Sequence, residues 1–116
     1  MTRVFLYGTL KQGQSLHYAV EGQVFLGHAR TEPRYRLFSL GTYPGMVPSE
    51  QGLPIEGEVW EVDGRCLRNL DEIEGVAEGE YDRAAIPLQA PFDDEPAYAY
   101  IYLGDITGLG DCGTRW

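Results

Sequence analysis

The sequence predicts an α+β fold: a small, strongly curved, barrel-like mixed β-sheet of about six strands that carries one or two short helices. The 116 residues are enough for a single domain, residues 1–116, around one hydrophobic core. The 15 glycines and 7 prolines are spread evenly, which is typical of many short elements joined by tight turns. Strand-like runs outnumber helical stretches, so we expect the sheet to organise the domain.

Three strand-like segments occupy the first half of the chain. The run from Arg3 to Tyr7 is expected of a strand that is covered on both faces. Residues 22–30, GQVFLGHAR, and residues 35–47, YRLFSLGTYPGMV, predict strands interrupted by glycine. Pro44-Gly45 is predicted to be a turn within the second of these segments.

The second half of the chain adds three more predicted strands. Residues 55–62, IEGEVWEV, alternate in a way that predicts a strand with one wet face. Residues 81–89 and 97–104 predict two further strands. The acidic segment between them, residues 90–96, is expected to be a solvated loop.

One convincing helix and one short helix complete the pattern. Asp63 is a candidate N-cap for the main helix, and Gly75 is expected to end it. Ser15 is a candidate N-cap for a short helix over residues 16–20. The main helix presents a single apolar stripe, made of Cys66, Leu67, Leu70 and Ile73.

Glu74 is the one acid of this helix that falls on its buried side. At about 100° per residue it lies about 50° from the middle of the stripe, whereas Asp71 and Glu72 lie about 110° and 150° away and are expected to face water. An acid on the buried side is costly unless it is paired or functional. Burial, the negative end of the helix dipole and the charges of Asp71 and Glu78 would raise the pKa of Glu74, as a general base near neutral pH requires.

Two structural explanations compete with catalysis at Glu74. The last helical turn could fray and leave the carboxylate in solvent. Alternatively, the carboxylate could pair with Arg83 or Arg36.

Charge and hydropathy limit the classes of binding partner that are expected for this chain. The net charge of −9, from 18 acidic and 9 basic residues, repels nucleic acid and anionic membranes, so neither is an expected partner. No run approaches the roughly 20 apolar residues of a membrane span. The N-terminal MTRVFLYGTL lacks the features of a secretory signal, so a cytoplasmic location is expected.

Several conspicuous side chains have ordinary explanations. Cys66 and Cys112 lie far apart without metal-ligand spacing and are expected to be idle thiols. His17 and His28 are isolated and are expected to be surface or structural residues. Strand periodicity predicts sheet packing or an exposed sheet face for a further set of aromatics: Tyr98, Tyr100 and Tyr102.

The glycine loop Gly8–Ser15 is the second candidate site. It approximates the phosphate-loop pattern G-x-x-x-x-G-K-[ST], but Gln14 replaces the essential lysine and the chain has no room for the usual parallel sheet. Nucleotide binding is therefore disfavoured. Gly8 would let a ligand approach the backbone, and successive N–H groups could hold a carboxylate or an oxyanion. The loop could also be no more than a turn.

These segments together resemble the γ-glutamylcyclotransferase-like superfamily. VFLYGTLKQGQSLH resembles its N-terminal signature, with the loop Y-G-[ST]-L, and IEGEVWEVD resembles a later strand. LRNLDEIEG is similar to the helix L-x-x-L-D-x-x-E, EYDR to its Y-x-R, and GTRW to its terminal G-x-x-W. Length and YGTLKxG are most similar to the short branch that includes γ-glutamylamine cyclotransferase.

The resemblance implies a barrel-like fold in which the loop and the helix-borne glutamate share one pocket. It implies that Glu74 takes a proton from the α-amine of a γ-glutamyl amine or γ-glutamyl amino acid. The amine then attacks its own γ-carbonyl, releasing 5-oxoproline and a free amine without a metal or organic cofactor. The residues that match the family's substrate-binding positions are Tyr7, Gly8, Thr9, Leu10 and Tyr81.

Two other functions stay open at this point. A non-catalytic member of the superfamily would keep the pocket and bind a small amino-acid-like ligand. A β-rich interaction module would use the loop only as a turn. The second alternative predicts that no enclosed pocket joins Gly8 to Glu74.

Overall fold

A computed structural model of the chain describes residues 1–116 and shows a mixed sheet of seven strands with one α-helix. The sheet is curled without closing, which confirms the α+β prediction with one strand more than expected. Neither helical segment is long and apolar enough to cross a bilayer. The elements are β1 (Thr2–Leu6), a 3-10 helix (His17–Val20), β2 (Val24–Arg30), β3 (Tyr35–Ser39), β4 (Pro44–Pro48), β5 (Glu56–Val62), α1 (Gly64–Ile73), β6 (Tyr81–Ile86) and β7 (Ala97–Tyr102).

Strand β7 is the centre of the sheet. The strand order is β2-β5-β1-β7-β4-β3, and β6 also pairs with β7. β7 runs parallel to β1 and β4 and antiparallel to β6. β6 pairs with the whole length of β7, so β1 and β4 must share the other edge of β7.

Sharing one edge forces β1 and β4 apart and creates a fork in the sheet. β1 pairs beside the start of β7, where Val4 lies opposite Tyr98. β4 pairs beside its end, where Met46 lies opposite Ile101. Between these two positions the carbonyl of Tyr100 faces neither strand and needs another donor.

Two tyrosine hydroxyls close the fork. Tyr7, just beyond β1, donates its hydroxyl to the carbonyl of Tyr100 at 2.6 Å and accepts from the backbone N–H of Met46 at 3.1 Å. Tyr81 donates to the carbonyl of Pro44 at 2.7 Å. These side chains supply hydrogen bonds that a continuous strand would otherwise provide.

The core lies on both faces of the sheet, as predicted for the first strand. Phe5 packs into one apolar cluster, whereas its neighbours Val4 and Leu6 pack into a second cluster that includes Cys66 and Leu70 of α1. Because adjacent strand residues point to opposite faces, β1 is buried on both. The last residues of β1 are therefore held firmly where the fork opens.

The ends of α1 also agree with the sequence. Asp63 is the N-cap, and its carboxylate accepts from the backbone N–H of Cys66 at 2.8 Å. Gly75 follows the helix with φ of +65°, a conformation that favours glycine. The N–H of Gly75 bonds the carbonyl of Glu72 at 3.1 Å, so the last turn is closed and does not fray.

The predicted turn at Pro44-Gly45 is wrong, because both residues belong to β4. The β3–β4 hairpin turns one step earlier, with the N–H of Leu40 bonded to the carbonyl of Tyr43 at 2.8 Å. Proline is tolerated as the first residue of a strand. Gly45 is required by packing, since a Cβ there would lie 2.8 Å from the side chain of Tyr102.

The predicted cap at Ser15 is also wrong. Leu16 occupies the N-cap position of the 3-10 helix, and no side chain caps it. The backbone N–H of Leu16 instead bonds the carbonyl of Thr9 at 2.9 Å. A backbone hydrogen bond to the glycine loop is therefore found at the start of this helix, where a side-chain cap was expected.

The predicted wet face of the strand over residues 55–62 is wrong at one position. Glu56 is exposed, but Glu58 is only 5% exposed. The loop after β1 covers Glu58, because the backbone N–H of Gln12 bonds its carboxylate. Alternation within a strand could not show that a distant loop folds over that face.

We expect Tyr7→Phe to lower the free energy of unfolding by about 1–3 kcal/mol, because it leaves a buried carbonyl and a buried N–H without a hydrogen-bond partner. Urea unfolding of the wild type and the variant measures the change. Tyr18→Phe is the matched control, since Tyr18 is 61% exposed. Equal unfolding free energies for Tyr7→Phe and the wild type would show that the hydroxyl does not hold the fork together.

Candidate functional site

A small pocket lies at the fork of the sheet and joins the two regions that the sequence singled out. Gly8 and Glu74 both line it, contrary to the expectation for a mere interaction module. Its volume is about 20 Å³, which is room for about one water molecule. The lining comprises Phe5, Leu6, Tyr7, Gly8, Thr9, Leu10, Tyr43, Pro44, Glu74, Tyr81 and Tyr100.

The loop after β1 brings unused backbone donors to this pocket. A Cβ on Gly8 would lie 2.7 Å from the ring of Pro44, so only glycine fits there without a shift. The N–H of Lys11 turns back to the carbonyl of Gly8 at 3.1 Å. The N–H groups of Gly8, Thr9 and Leu10 donate to no group of the protein. Three consecutive donors are thus available to a carboxylate or an oxyanion.

Glu74 occupies the C-cap of α1 and brings its carboxylate to the opposite side of the pocket. Neither predicted pairing partner reaches it. Arg83 Nε pairs with Asp71 at 2.9 Å, and Arg36 pairs with Asp111 at 3.1 Å. The carboxylate has no hydrogen-bond or ion-pair partner within the protein, so both structural explanations for Glu74 fail.

Burial raises the pKa of Glu74 from its usual 4.5 to about 7, and the negative charge of Glu80 adds to the rise. The sequence anticipated the direction and the dominant cause, but it assigned the neighbouring charges to Asp71 and Glu78. Asp71 instead forms an ion pair with Arg83. At neutral pH, Glu74 is close to half ionised, so it can accept a proton and give one back.

The two predicted tyrosines line the pocket with their rings, and their hydroxyls bond the backbone. Tyr7 donates to the carbonyl of Tyr100, and Tyr81 donates to the carbonyl of Pro44. Burial raises the pKa of both phenols, so they remain protonated at neutral pH. Their geometry favours shaping the pocket over proton transfer.

Sequence reasoning missed Tyr43, which lines the pocket, and Glu80, which bonds the hydroxyl of Tyr43. The hydroxyl of Tyr43 donates to a carboxylate oxygen of Glu80 at 3.0 Å. Tyr43 is still 37% exposed, so a single surface contact restrains it. No periodic signal marks these residues, because one lies in a turn and the other follows a helix.

Sequence reasoning also misjudged Asp71. Asp71 was expected to face water, but it accepts from the hydroxyl of Tyr100 at 2.8 Å and pairs with Arg83. Tyr100 packs in the core, as predicted, and it also lines the pocket. Strand periodicity was the available signal for Tyr100, and it could not show on which face of the sheet the pocket lies.

A larger cleft, of about 690 Å³, lies beyond the same loop. Lys11, Gln12 and Gln14 form one wall of it, and neither Gly8 nor Glu74 takes part. No three His, Cys, Asp or Glu side chains are grouped so that they could hold a metal ion. The small pocket therefore combines the unpaired acid with the free amides, and the large cleft does not.

Comparison with known proteins agrees with this geometry. The family profile described as "Gamma-glutamyl cyclotransferase, AIG2-like" matches residues 4–111. The chain belongs to this family. The match spans the loop, Glu74 and every strand from β2 to β7.

Individual members of the AIG2-like family support the assignment. A Vibrio cholerae protein provisionally named as a gamma-glutamylcyclotransferase is 42% identical over 99 residues, which covers 85% of this chain and 80% of the relative. The gamma-glutamylaminecyclotransferase of Bos taurus is 33% identical over 111 residues, covering 85% of this chain and 63% of the relative. The crystal structure of an AIG2-like protein from Mus musculus superposes with a TM-score of 0.83 at 27% identity, covering 100% of this chain and 88% of that one.

The raised pKa of Glu74 predicts a stability cost that grows with pH. Between about 4.5 and about 7 the folded protein keeps a proton that the unfolded chain has lost, so folding stability falls as pH rises through this window. The loss is about 1.4 kcal/mol for each pH unit between the two pKa values. Glu74→Gln removes this dependence, so relative to the wild type it should gain stability from pH 4 to pH 8.

Urea unfolding across that pH range measures the difference. Glu72→Gln is the matched control, because Glu72 is exposed on the same helix and should leave the wild-type pH dependence unchanged. A constant difference between Glu74→Gln and the wild type at all pH values would mean that the carboxylate is solvated.

Proposed function

We propose that this family member is a cyclotransferase that releases 5-oxoproline and a free amine from a γ-glutamyl amine or γ-glutamyl amino acid. One observation carries the proposal: an unpaired carboxylate with a pKa of about 7 shares a pocket with three free backbone N–H groups. Those are the two parts that an intramolecular aminolysis needs from an enzyme. The names of the relatives point to the same chemistry.

Glu74 acts first as the base and then as the acid. Its carboxylate takes a proton from the α-amine of the substrate, and the amine nitrogen attacks the γ-carbonyl carbon. The ring N–C bond forms as the carbonyl oxygen becomes an oxyanion. Glu74 then returns the proton to the leaving nitrogen, the old C–N bond breaks, and 5-oxoproline and the amine separate.

The loop supplies the electrostatic part of the reaction. The N–H groups of Gly8, Thr9 and Leu10 hold the glutamyl end and stabilise developing negative charge. Tyr7 and Tyr81 contribute by fixing the pocket walls, since their hydroxyls already bond the backbone. Backbone donors held by a folded sheet need no reorganisation during the reaction.

Substrate binding requires the rim of the pocket to open. The pocket holds about one water molecule, which is far less than a γ-glutamyl group occupies. Tyr43 is the partly exposed side chain at the rim, and one hydrogen bond to Glu80 restrains it. Movement of Tyr43 would admit the substrate without disturbing the fork.

The decisive assay is 5-oxoproline release from a panel of γ-glutamyl amines and γ-glutamyl amino acids. Glu74→Gln should lower kcat by about 10²–10⁴-fold, as expected for loss of a general base. In the wild type, activity should rise with pH through about 7 as Glu74 loses its proton. Acetylating the α-amine of a good substrate should abolish its turnover.

Glu72→Gln is the control for the assay, because it removes a neighbouring carboxylate that faces solvent. It should keep wild-type turnover. Equal turnover by Glu74→Gln and the wild type would remove Glu74 from the mechanism. A wild-type protein that binds the panel but releases no 5-oxoproline would be a non-catalytic binder, contrary to the proposal.

A further inference from the structure

Glu58 is the one charged residue of the protein that is buried, with 5% exposure, and the proposed reaction does not use it. It lies on β5, next to the loop that follows β1. No cation lies within ion-pair distance of it. A carboxylate in such a place is costly unless hydrogen bonds satisfy it, so its partners show what holds it there.

Backbone and indole donors surround the carboxylate of Glu58. The backbone N–H of Gln12 bonds both oxygens, at 3.1 and 3.3 Å, and the indole N–H of Trp60 bonds one of them at 3.1 Å. Trp60 lies on the same strand as Glu58, so only the bond to Gln12 joins two separate parts of the chain. That hydrogen bond connects β5 to the glycine loop, Gly8–Ser15.

The hydrogen bond from Gln12 to Glu58 is one of two that hold the loop in place. On one side the N–H of Leu16 bonds the carbonyl of Thr9. On the other side Gln12 occupies the second position of a turn in which the N–H of Gln14 bonds the carbonyl of Lys11 and Gly13 has φ of +81°. The segment between these two hydrogen bonds contains the free N–H group of Leu10, and the free N–H group of Thr9 immediately precedes it.

We propose that Glu58 is a positioning residue: its carboxylate grips the N–H of Gln12 and thereby holds the loop amides in the geometry that binds the γ-glutamyl group. This inference rests on the proposed function for its consequence in turnover. Glu58 itself stays away from the reacting atoms, because it does not line the pocket of Glu74 and its oxygens are engaged. A buried carboxylate gives stronger, charge-assisted bonds to N–H donors than a neutral acceptor would.

Two variants break the same bond from opposite ends. Glu58→Ala removes the acceptor. Gln12→Pro removes the donor and leaves β5 intact, and proline suits the second position of a turn whose third residue has φ near +80°. Gln12→Ala keeps the backbone N–H, and Glu61→Gln changes an acid on the same strand that makes no hydrogen bond or ion pair through its side chain.

The expected signature is a rise in KM for the γ-glutamyl substrate. Glu58→Ala and Gln12→Pro should each raise KM by about tenfold or more, as expected for losing a hydrogen bond to a charged group. The pH midpoint set by Glu74 should not move. Glu58→Gln, which retains one acceptor oxygen, should recover most of the loss, and the two controls should match the wild type.

A purely structural role for Glu58 predicts a different result. Loss of folded protein would lower the apparent kcat and leave KM unchanged, and that outcome would overturn the proposal. The double variant gives a further test: its effect should equal that of either single variant, because both remove one bond. Additive losses would show that the two residues act separately.

Amide hydrogen exchange separates this inference from the proposed function. In Glu58→Ala the hydrogen-bonded loop amides of Lys11, Gln14 and Leu16 should exchange faster than in the wild type, whereas α1 should stay protected. Should the wild type lack cyclotransferase activity, the proposed function fails, and the exchange result still decides whether Glu58 fixes the loop. Unchanged exchange in both Glu58→Ala and Gln12→Pro would refute the positioning role.

Discussion

The candidate site depends on one constraint: two strands must share a single edge of β7. β1 leaves that edge after Tyr98, and β4 joins it at Ile101. The backbone left without a strand partner between them bonds the hydroxyl of Tyr7. Because the fork is held by side chains, the chain can turn away from the sheet at Gly8 and leave three N–H groups free beside a pocket.

The acid that faces this pocket shows how the fold makes a reactive group at a helix end. Gly75 stops α1 immediately after Glu74, so the carboxylate is held at the C-cap and cannot move into solvent. Arg83 does not pair with Glu74, because its guanidinium bonds Asp71, which also accepts from the hydroxyl of Tyr100. Glu74 is thus left with burial and the like charge of Glu80, which both favour the protonated form. A stability cost at neutral pH is the consequence of keeping this acid unpaired.

Local patterns in the sequence were sufficient for most of the elements and for the key acid. Helical periodicity placed Glu74 on the buried side of α1, and capping rules located both Asp63 and Gly75. These predictions succeeded because each depends on residues within a few positions of one another. The family resemblance added the pairing of loop and helix, which no local pattern contains.

Predictions failed where long-range packing decides the outcome. Asp71 looked solvated because helix geometry alone cannot place Arg83 and Tyr100 beside it. Glu58 looked solvated because strand alternation says nothing about a loop that begins some 50 residues earlier. Gly45 looked like part of a turn, although the side chain of Tyr102 requires it to be glycine.

The proposed reaction is intramolecular and therefore requires few groups from the protein. The substrate carries its own nucleophile, so the protein must supply only a base, oxyanion donors and a fixed geometry. In the proposed reaction the base is the carboxylate of Glu74, and the donors are backbone groups that only a proline substitution can delete. The positions of such donors therefore depend on residues that fix the backbone of the loop. Tyr7 and Glu58 hold the two ends of the loop, one at the fork and one against β5, so the geometry of the site is encoded mainly outside the groups that react.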